Sequence, residues 1–369
     1  MIIGVPREIK DGECRVGLAP QNAAGLVSEG HAVWVEKGAG VPAGFSDAEY
    51  RSAGAKLSTA AALWAKADCM VKVKEPLPSE YKYFKKGKIV FSYLHLAANA
   101  ALTQALIKSG VSAVAAETVQ DKGGRFPILE PMSELAGRMS IIIAAYFEAT
   151  RLGGSGILMP GLPGVLPAKV MVLGGGTVGE NAARIASGMG AQVTILDNRA
   201  DRLRQLDEML PENVSTLISN PANIAQQVAA ADIIIGAVLV AGAKTPKLIT
   251  KKMLRGVKKR ALFIDVCIDQ GGVSETSRPT SHSEPTYSVG NVLHYCVPNM
   301  PGAYGHTATL AFTNAIAPYV SKLGKLGLSQ ILGEDPGFSS GLQVHEGSVT
   351  YKPVAESLNL NYTDLKNLF

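Results

Sequence analysis

Short apolar runs recur along the chain at residues 2–5, 32–35, 69–73, 89–92, 111–115, 169–173, 192–196, 214–218, 232–237, 261–266 and 292–295. Several are rich in Val and Ile on consecutive positions, the pattern of strands buried on both faces of a parallel sheet. Segments of helical periodicity separate many of them. This βαβ rhythm predicts an α/β protein.

Two helices are predicted to be long. One starts after Ser133 as N-cap, with Glu134 in its first turn. Leu135, Met139, Ile142, Ile143 and Tyr146 follow at helical spacing, and Gly153-Gly154 stops it. The other covers about 307–323, with a kink expected at Pro318. Between them, residues 153–167 are rich in Gly and Pro, which fits either a domain linker or a tight loop crossing a sheet.

Composition narrows the class. A chain of 369 residues with 47% hydrophobic and 18% charged side chains is too apolar for disorder and long enough for two domains. The net charge is only +5, and the densest basic stretch, Lys82, Lys85, Lys86 and Lys88, is short, so a nucleic-acid partner is not expected. The longest apolar run, 233–243, is too short to span a bilayer, so no membrane partner is expected either. The N-terminus meets charges at once and does not read as a signal peptide. The four cysteines show no metal-ligand spacing and no disulfide framework. Together these features predict a cytoplasmic protein, with no residue assigned to a metal.

The clearest chemistry follows the predicted strand 169–173. Gly174, Gly176 and Gly179 supply the G-x-G-x-x-G spacing, and a helix over 180–190 comes next. Such glycines permit a tight turn, backbone approach to a pyrophosphate and close helix–strand packing, while the helix N-terminus offers N–H groups to the phosphates. A second strand runs into Asp197, which is placed to accept hydrogen bonds from a ribose. NAD is therefore the expected cofactor. Arg199 and Arg202 lie close beyond Asp197, so the preference over NADP is expected to be strong without being absolute.

A dinucleotide loop does not name a reaction. Three further segments place polar residues among apolar ones. The first is Gly4-Val-Pro-Arg-Glu-Ile-Lys-Asp-Gly-Glu-Cys-Arg15-Val-Gly-Leu-Ala-Pro20. The second is Val71-Lys-Val-Lys74-Glu-Pro76 with Ser92-Tyr93-Leu-His95-Leu-Ala97. The third is Ile264-Asp-Val-Cys-Ile-Asp269-Gln-Gly-Gly272, followed by Thr276-Ser-Arg278-Pro279 and Val297-Pro-Asn-Met-Pro-Gly302. In order and spacing, over essentially the whole chain, these resemble the alanine dehydrogenase family. The NAD-binding subunit of proton-translocating transhydrogenase and the saccharopine dehydrogenases are related families.

The resemblance implies a Rossmann-type doubly wound parallel sheet plus a second α/β substrate domain built from both chain ends. The expected limits are 1–128 with 304–369 for the substrate domain and 129–303 for the NAD domain, with the active site in the cleft. The implied reaction is the reversible NAD-dependent oxidative deamination of L-alanine to pyruvate and ammonium, performed by a homohexamer. Arg15 matches the family's carboxylate-binding arginine and Lys74 its substrate-binding lysine. His95 and Asp269 match its two acid/base residues, and Tyr93, Met132, Asn299 and Met300 are expected near the substrate. Around NAD the resemblance places Ser133, Gly174, Gly176, Val178, Gly179, Asp197, Arg202, Ser219, Val238, Leu239, Val266, Cys267, Ile268, Asp269, Arg278, Val297, Pro298, Asn299 and Met300. Cys14 and His306 stand where the family often has an aromatic residue and an arginine. Lys72, alternating with valines beside Lys74, reads as a charged strand end. A transhydrogenase-like NAD(H)-binding subunit and a non-catalytic NAD-sensing module are the competing readings.

Overall fold

The computed structural model describes residues 1–238 and 245–368. Its strands are β1 (Ile2–Val5), β2 (Ala32–Glu36), β3 (Lys56–Ser58), β4 (Cys69–Val71), β5 (Ile89–Ser92), β6 (Ser112–Ala115), β7 (Lys169–Leu173), β8 (Gln192–Asp197), β9 (Val214–Ile218), β10 (Ile233–Gly236), β11 (Ala261–Asp265), β12 (Thr286–Val289), β13 (Val292–Tyr295), β14 (Leu342–His345) and β15 (Ser348–Val349). Its helices are α1 (Pro20–Ser28), α2 (Asp47–Ser52), α3 (Ala60–Lys66), α4 (Ala100–Ser109), α5 (Glu130–Phe147), α6 (Thr177–Gly188), α7 (Ala200–Met209), α8 (Pro221–Ala230), α9 (Lys251–Arg255), α10 (Gly305–Glu334), α11 (Pro336–Ser339) and α12 (Lys352–Leu358).

The chain divides into two units, Met1–Met132 with Gly302–Phe369, and Ser133–Pro301. The first holds the sheet β15-β14-β6-β5-β4-β1-β2-β3, the second the sheet β12-β13-β11-β10-β7-β8-β9. In each, six parallel strands follow the doubly wound order 3-2-1-4-5-6. Antiparallel strands extend each sheet: β14 and β15 in the first unit, β12 in the second.

The consecutive apolar residues of the central strands serve both faces. In β7, Val170 and Val172 enter one buried cluster with Ile233, Ile235, Leu262 and Ile264. Met171 and Leu173 enter the opposite one with Ile234, Phe263 and Val228. In the first unit, Met70, Val90, Ala113 and Ala115 pack with Leu102 and Leu106 of α4 and with Val354 of α12.

Every strand expected from the apolar runs is present, with ends shifted by at most two residues. The strands not anticipated, β3, β12, β14 and β15, are short and lie at or near sheet edges, where a run needs little apolar character. The long helices differ in their ends and in one kink: α5 stops at Phe147, short of Gly153-Gly154, and α10 runs on to Glu334, past 323. The helix expected to start after Ser133 begins at Glu130, so Ser133 lies inside α5, not at its cap. In α10, Pro318 stays helical and the break falls at Gly327 (φ 76°, ψ 167°). Proline's fixed φ suits a helix, whereas a positive φ is glycine's territory. The Gly/Pro-rich stretch 153–167 lies wholly within the second unit, where Leu162 and Val165 close a small antiparallel bridge. It is a loop of that unit, not a linker. Among the described residues, no helix is long and apolar enough to cross a membrane.

Candidate active site

In the first unit, β1 and β4 are neighbours although β2 and β3 lie between them in sequence, so their carboxyl ends flank the switch point of the sheet. The loop after β1 carries Arg15, the segment after β4 carries Lys74, and the segment after β5 carries His95. Two backbone bonds and one to a side-chain carboxylate tie these segments together. Tyr93 N–H donates to Val73 O (3.1 Å), Lys72 N–H donates to Phe91 O (3.0 Å), and the Glu8 carboxylate accepts from Val73 N (2.7 Å).

Arg15 is only 2% exposed. Its Nε and Nη2 each donate to the Glu13 carboxylate at 2.6 Å, and Nη1 meets Met132 Sδ at 3.2 Å. Burial alone would lower the guanidinium's pKa, but the bonds to Glu13 and its charge outweigh it and hold the group above its ordinary value. The bidentate fork fixes the plane of the guanidinium.

Lys72 overturns the sequence reading. It is not a solvated strand end; it is fully buried, 3.2 Å from Glu8 and 3.1 Å from Glu80. Burial would lower its pKa, yet these two carboxylates raise it overall. Burial likewise raises the Glu8 carboxyl, against the opposing pull of Lys72 and the Val73 N–H. Lys74, two residues on, is half-buried. Both lysines lie beyond the end of β4, and strand alternation would give positions two apart the same face; what separates them is the pair of carboxylates, Glu8 and Glu80, that encloses Lys72.

His95 is no core histidine. Its side chain is 54% exposed and its backbone is left-handed, with φ 49°. Its ring stacks near Tyr93 at 6.3 Å between centroids. Tyr93 is buried, donates its hydroxyl to Ile128 O (2.7 Å), and has a pKa pushed up by burial.

In the second unit, β7 and β10 flank the equivalent switch point. Gly174 (φ 108°) turns where a Cβ would lie 2.4 Å from Ala237 O. A Cβ on Gly179 would lie 1.8 Å from Gly174 O, so only glycine lets α6 approach the turn this closely. Gly176, the N-cap of α6, makes no side-chain cap bond and faces open space. An uncapped twelve-residue helix behind an open glycine turn suits a pyrophosphate. Val178 follows in the first turn of α6, and Gly137 of α5 packs against its carbonyl, where a Cβ would lie 2.2 Å away. Ser133 is one turn earlier on α5, half-buried.

Asp197 ends β8, and its Oδ2 accepts from Gly175 N (2.8 Å) while Oδ1 accepts from Arg199 N (2.9 Å). Arg202 is occupied with the glycine turn: Nε donates to Gly175 O (2.7 Å) and Nη2 to Glu180 (2.6 Å). Ser219 N–H bonds to Asp197 O beyond β9. Val238 follows β10, and Leu239 lies outside the described residues.

Beyond β11, Val266, Cys267 and Ile268 lead to Asp269, an exposed residue of a short 3-10 turn. Cys267 is buried and its thiol pKa is pushed far up, which makes it packing and not a nucleophile. Asp269 Oδ2 accepts from Asn299 N (3.2 Å). Asn299 is left-handed (φ 54°), between half-buried Pro298 and buried Met300, with buried Val297 before them. Arg278 is exposed and stacks on Tyr287 at 4.0 Å.

Sequence reasoning passed over Asp265. Its buried carboxylate accepts from Cys267 N (3.1 Å), Val273 N (2.8 Å) and Ser277 Oγ (2.5 Å), closing the turn that presents Asp269. Burial raises its pKa despite those bonds. Gly272 (φ 77°) is required there, because a Cβ would lie 2.6 Å from Asp265 Oδ2. The available signal was an aspartate inside an otherwise apolar strand. His306 is absorbed locally, stacked on Phe45 (4.8 Å) and bonded to Ala43 O (2.8 Å).

Two doubly wound sheets, one carrying a dinucleotide turn and the other a cluster of buried cations and carboxylates at its switch point, define a dinucleotide-binding α/β protein of two units. Comparison with known proteins narrows this further. The family models "Alanine dehydrogenase/PNT, N-terminal domain" and "C-terminal domain" match residues 4–136 and 140–352, and the chain belongs to that family. It is 48% identical to an alanine dehydrogenase of Halomonas elongata across all of both chains. It is 49% identical to one of Bacillus subtilis, covering 98% of this chain and 96% of that one. A solved L-alanine dehydrogenase superposes with a TM-score of 0.94 at 45% identity, covering 97% of this chain and 99% of the other. A transhydrogenase from Sinorhizobium meliloti superposes at 0.84 with 26% identity, covering 95% of this chain and 100% of the other.

Proposed function

We propose that the chain catalyses the reversible reaction of L-alanine, water and NAD⁺ to pyruvate, ammonium, NADH and a proton. The observation that supports this reading is that the segments carrying Arg15, Lys74 and His95 leave the carboxyl ends of the neighbouring strands β1, β4 and β5, in a chain of this family along its length. In this reading the first unit binds substrate and the second binds cofactor.

Pyruvate offers a carboxylate and a ketone. The fixed guanidinium of Arg15 takes the carboxylate, and the ammonium of Lys74 contacts carboxylate and carbonyl oxygens. In the reductive direction Asp269 removes a proton from ammonium, and ammonia adds to the carbonyl. His95 then protonates the carbinolamine oxygen as it leaves as water. NAD, when bound, supplies or accepts the hydride at the substrate's Cα. The turn of Gly174, Gly176 and Gly179, with Val178, holds its pyrophosphate, and Asp197 its ribose. Ser133, Arg202, Ser219, Val238, residues 266–269, Arg278 and 297–300 border it. Arg202 acts there by bracing the glycine turn. The working form is a homohexamer in the cytoplasm; light scattering after gel filtration checks the first.

NADH oxidation dependent on both pyruvate and ammonium tests the activity; its absence refutes it and returns the transhydrogenase-like and sensing readings. H95A and D269A are each expected to lower turnover at least ~100-fold, the scale of acid/base catalysis. Near-normal turnover in either removes that residue from the mechanism. Alanine oxidation should speed up towards alkaline pH, because the amine must lose its proton.

A further inference from the structure

Glu117 lies in the turn after β6 and reaches to the carboxyl end of the neighbouring parallel strand β5. Its two carboxylate oxygens accept from Leu94 N at 3.3 and 3.1 Å, and Oε1 also accepts from His95 N at 2.7 Å. The same Oε1 lies 3.7 Å from His95 Nδ1. The side chain is mostly buried, and Tyr93 and Tyr351 both feel its charge.

These contacts converge on a residue in an uncommon conformation. His95 has φ 49°, a region that a non-glycine residue occupies at some cost and keeps only when its surroundings hold it. Strand β5 ends at Ser92, and the chain must reverse within three residues to start the short 3-10 turn at Leu96. Without an acceptor, the N–H groups of Leu94 and His95 would lack partners at that reversal. Glu117 satisfies both and so fixes where the imidazole leaves the backbone.

We infer that Glu117 is the positioning residue of the acid/base His95. It holds the strained backbone and faces the Nδ1 edge of the ring with a carboxylate, which leaves Nε2 to exchange the substrate proton. At 3.7 Å the carboxylate lies within ion-pair distance of Nδ1 and turns that edge of the ring towards itself. Tyr93 adds a flat wall on which the ring rests. Glu117 does not touch substrate; it acts through His95. This inference rests on the catalytic assignment of His95 above.

The test is a double-mutant cycle in the pyruvate-plus-ammonium assay, with E117Q, H95A and the double variant. Gln retains one oxygen for the His95 N–H and removes the charge. E117Q is expected to lower kcat at least ~10-fold, the scale of a misdirected catalytic group, with NADH affinity and thermal midpoint nearly unchanged. In the H95A background the same change should cost nothing further. E117D, which keeps the charge, should retain more turnover than E117Q and serves if E117Q folds poorly. Wild-type turnover in E117Q, an equal loss in both backgrounds, or E117D no better than E117Q would each overturn the inference. Normal turnover in H95A would instead remove the reading of His95, and this inference with it.

Discussion

The two units share a strand order and differ in how their switch-point crevices meet an anion. In the second unit the backbone does the binding: a glycine turn, an uncapped helix N-terminus and Asp197 leave almost no side chain in the way. In the first unit the loop after β1 is longer and side chains take over, with Arg15 gripped by Glu13 above the buried trio Glu8, Lys72 and Glu80. A pyrophosphate is large and suits many N–H groups. A small carboxylate needs one fixed cation, and a fixed buried cation needs its own carboxylate. One topology therefore serves two recognition problems, and the difference lies in loop chemistry.

If that contrast is right, a methyl group should be most damaging in the second unit. Gly179→Ala places a Cβ against a backbone carbonyl and should cost more than about 4 kcal/mol of stability, together with NADH binding. A folded variant with normal NADH fluorescence would break the comparison. In the first unit, charge should matter more than volume. R15M should strand a buried Glu13 at a cost of about 3–5 kcal/mol and lower kcat/KM for pyruvate at least ~30-fold, the value of a charge-assisted bond. Adding E13Q should restore much of the thermal midpoint and none of the activity. Recovery of activity in the pair would show that Arg15 does not hold the substrate.

A third contrast concerns protons. The buried carboxylates of the first unit lie beside cations, whereas Glu148 of the second is held by Ser155, and burial pushes its pKa up to about 7. The native state therefore keeps a proton there between about pH 4.5 and 7 that the unfolded chain releases. Stability falls as pH rises through that window, by up to about 3 kcal/mol. Thermal melts at pH 5 and pH 8 should show this slope flattened in E148Q; an unchanged slope would assign it elsewhere. The smallest effect is expected at Gly176, which faces open space. Gly176→Ala should leave the melting midpoint alone while weakening NADH about tenfold, roughly 1.4 kcal/mol. Loss of stability instead would make that glycine structural.

What could be read along the chain was whatever repeats at short range. The paired apolar faces of β7 and β10, the glycine turn with its flanking strand and helix, and the acid closing β8 all declare themselves within a few dozen residues, because backbone sterics and burial act locally. Arg15, Lys74, His95 and Asp269 were legible only as matches to family motifs; spacing alone would have left them ordinary charged residues. Tertiary structure decided the rest. Lys72 and Lys74 share an alternation pattern, yet one is sealed between Glu8 and Glu80 while the other is half-buried, a difference made by carboxylates that the fold brings to one of them. Asp265 showed only as an aspartate in an apolar strand, and Glu117 was invisible as a site residue, because it holds backbone N–H groups of a neighbouring strand end that it meets only when the sheet assembles. Local pattern sets which elements form; the desolvation of charge, which depends on everything packed around it, sets which polar side chains are buried as supports and which are left to act.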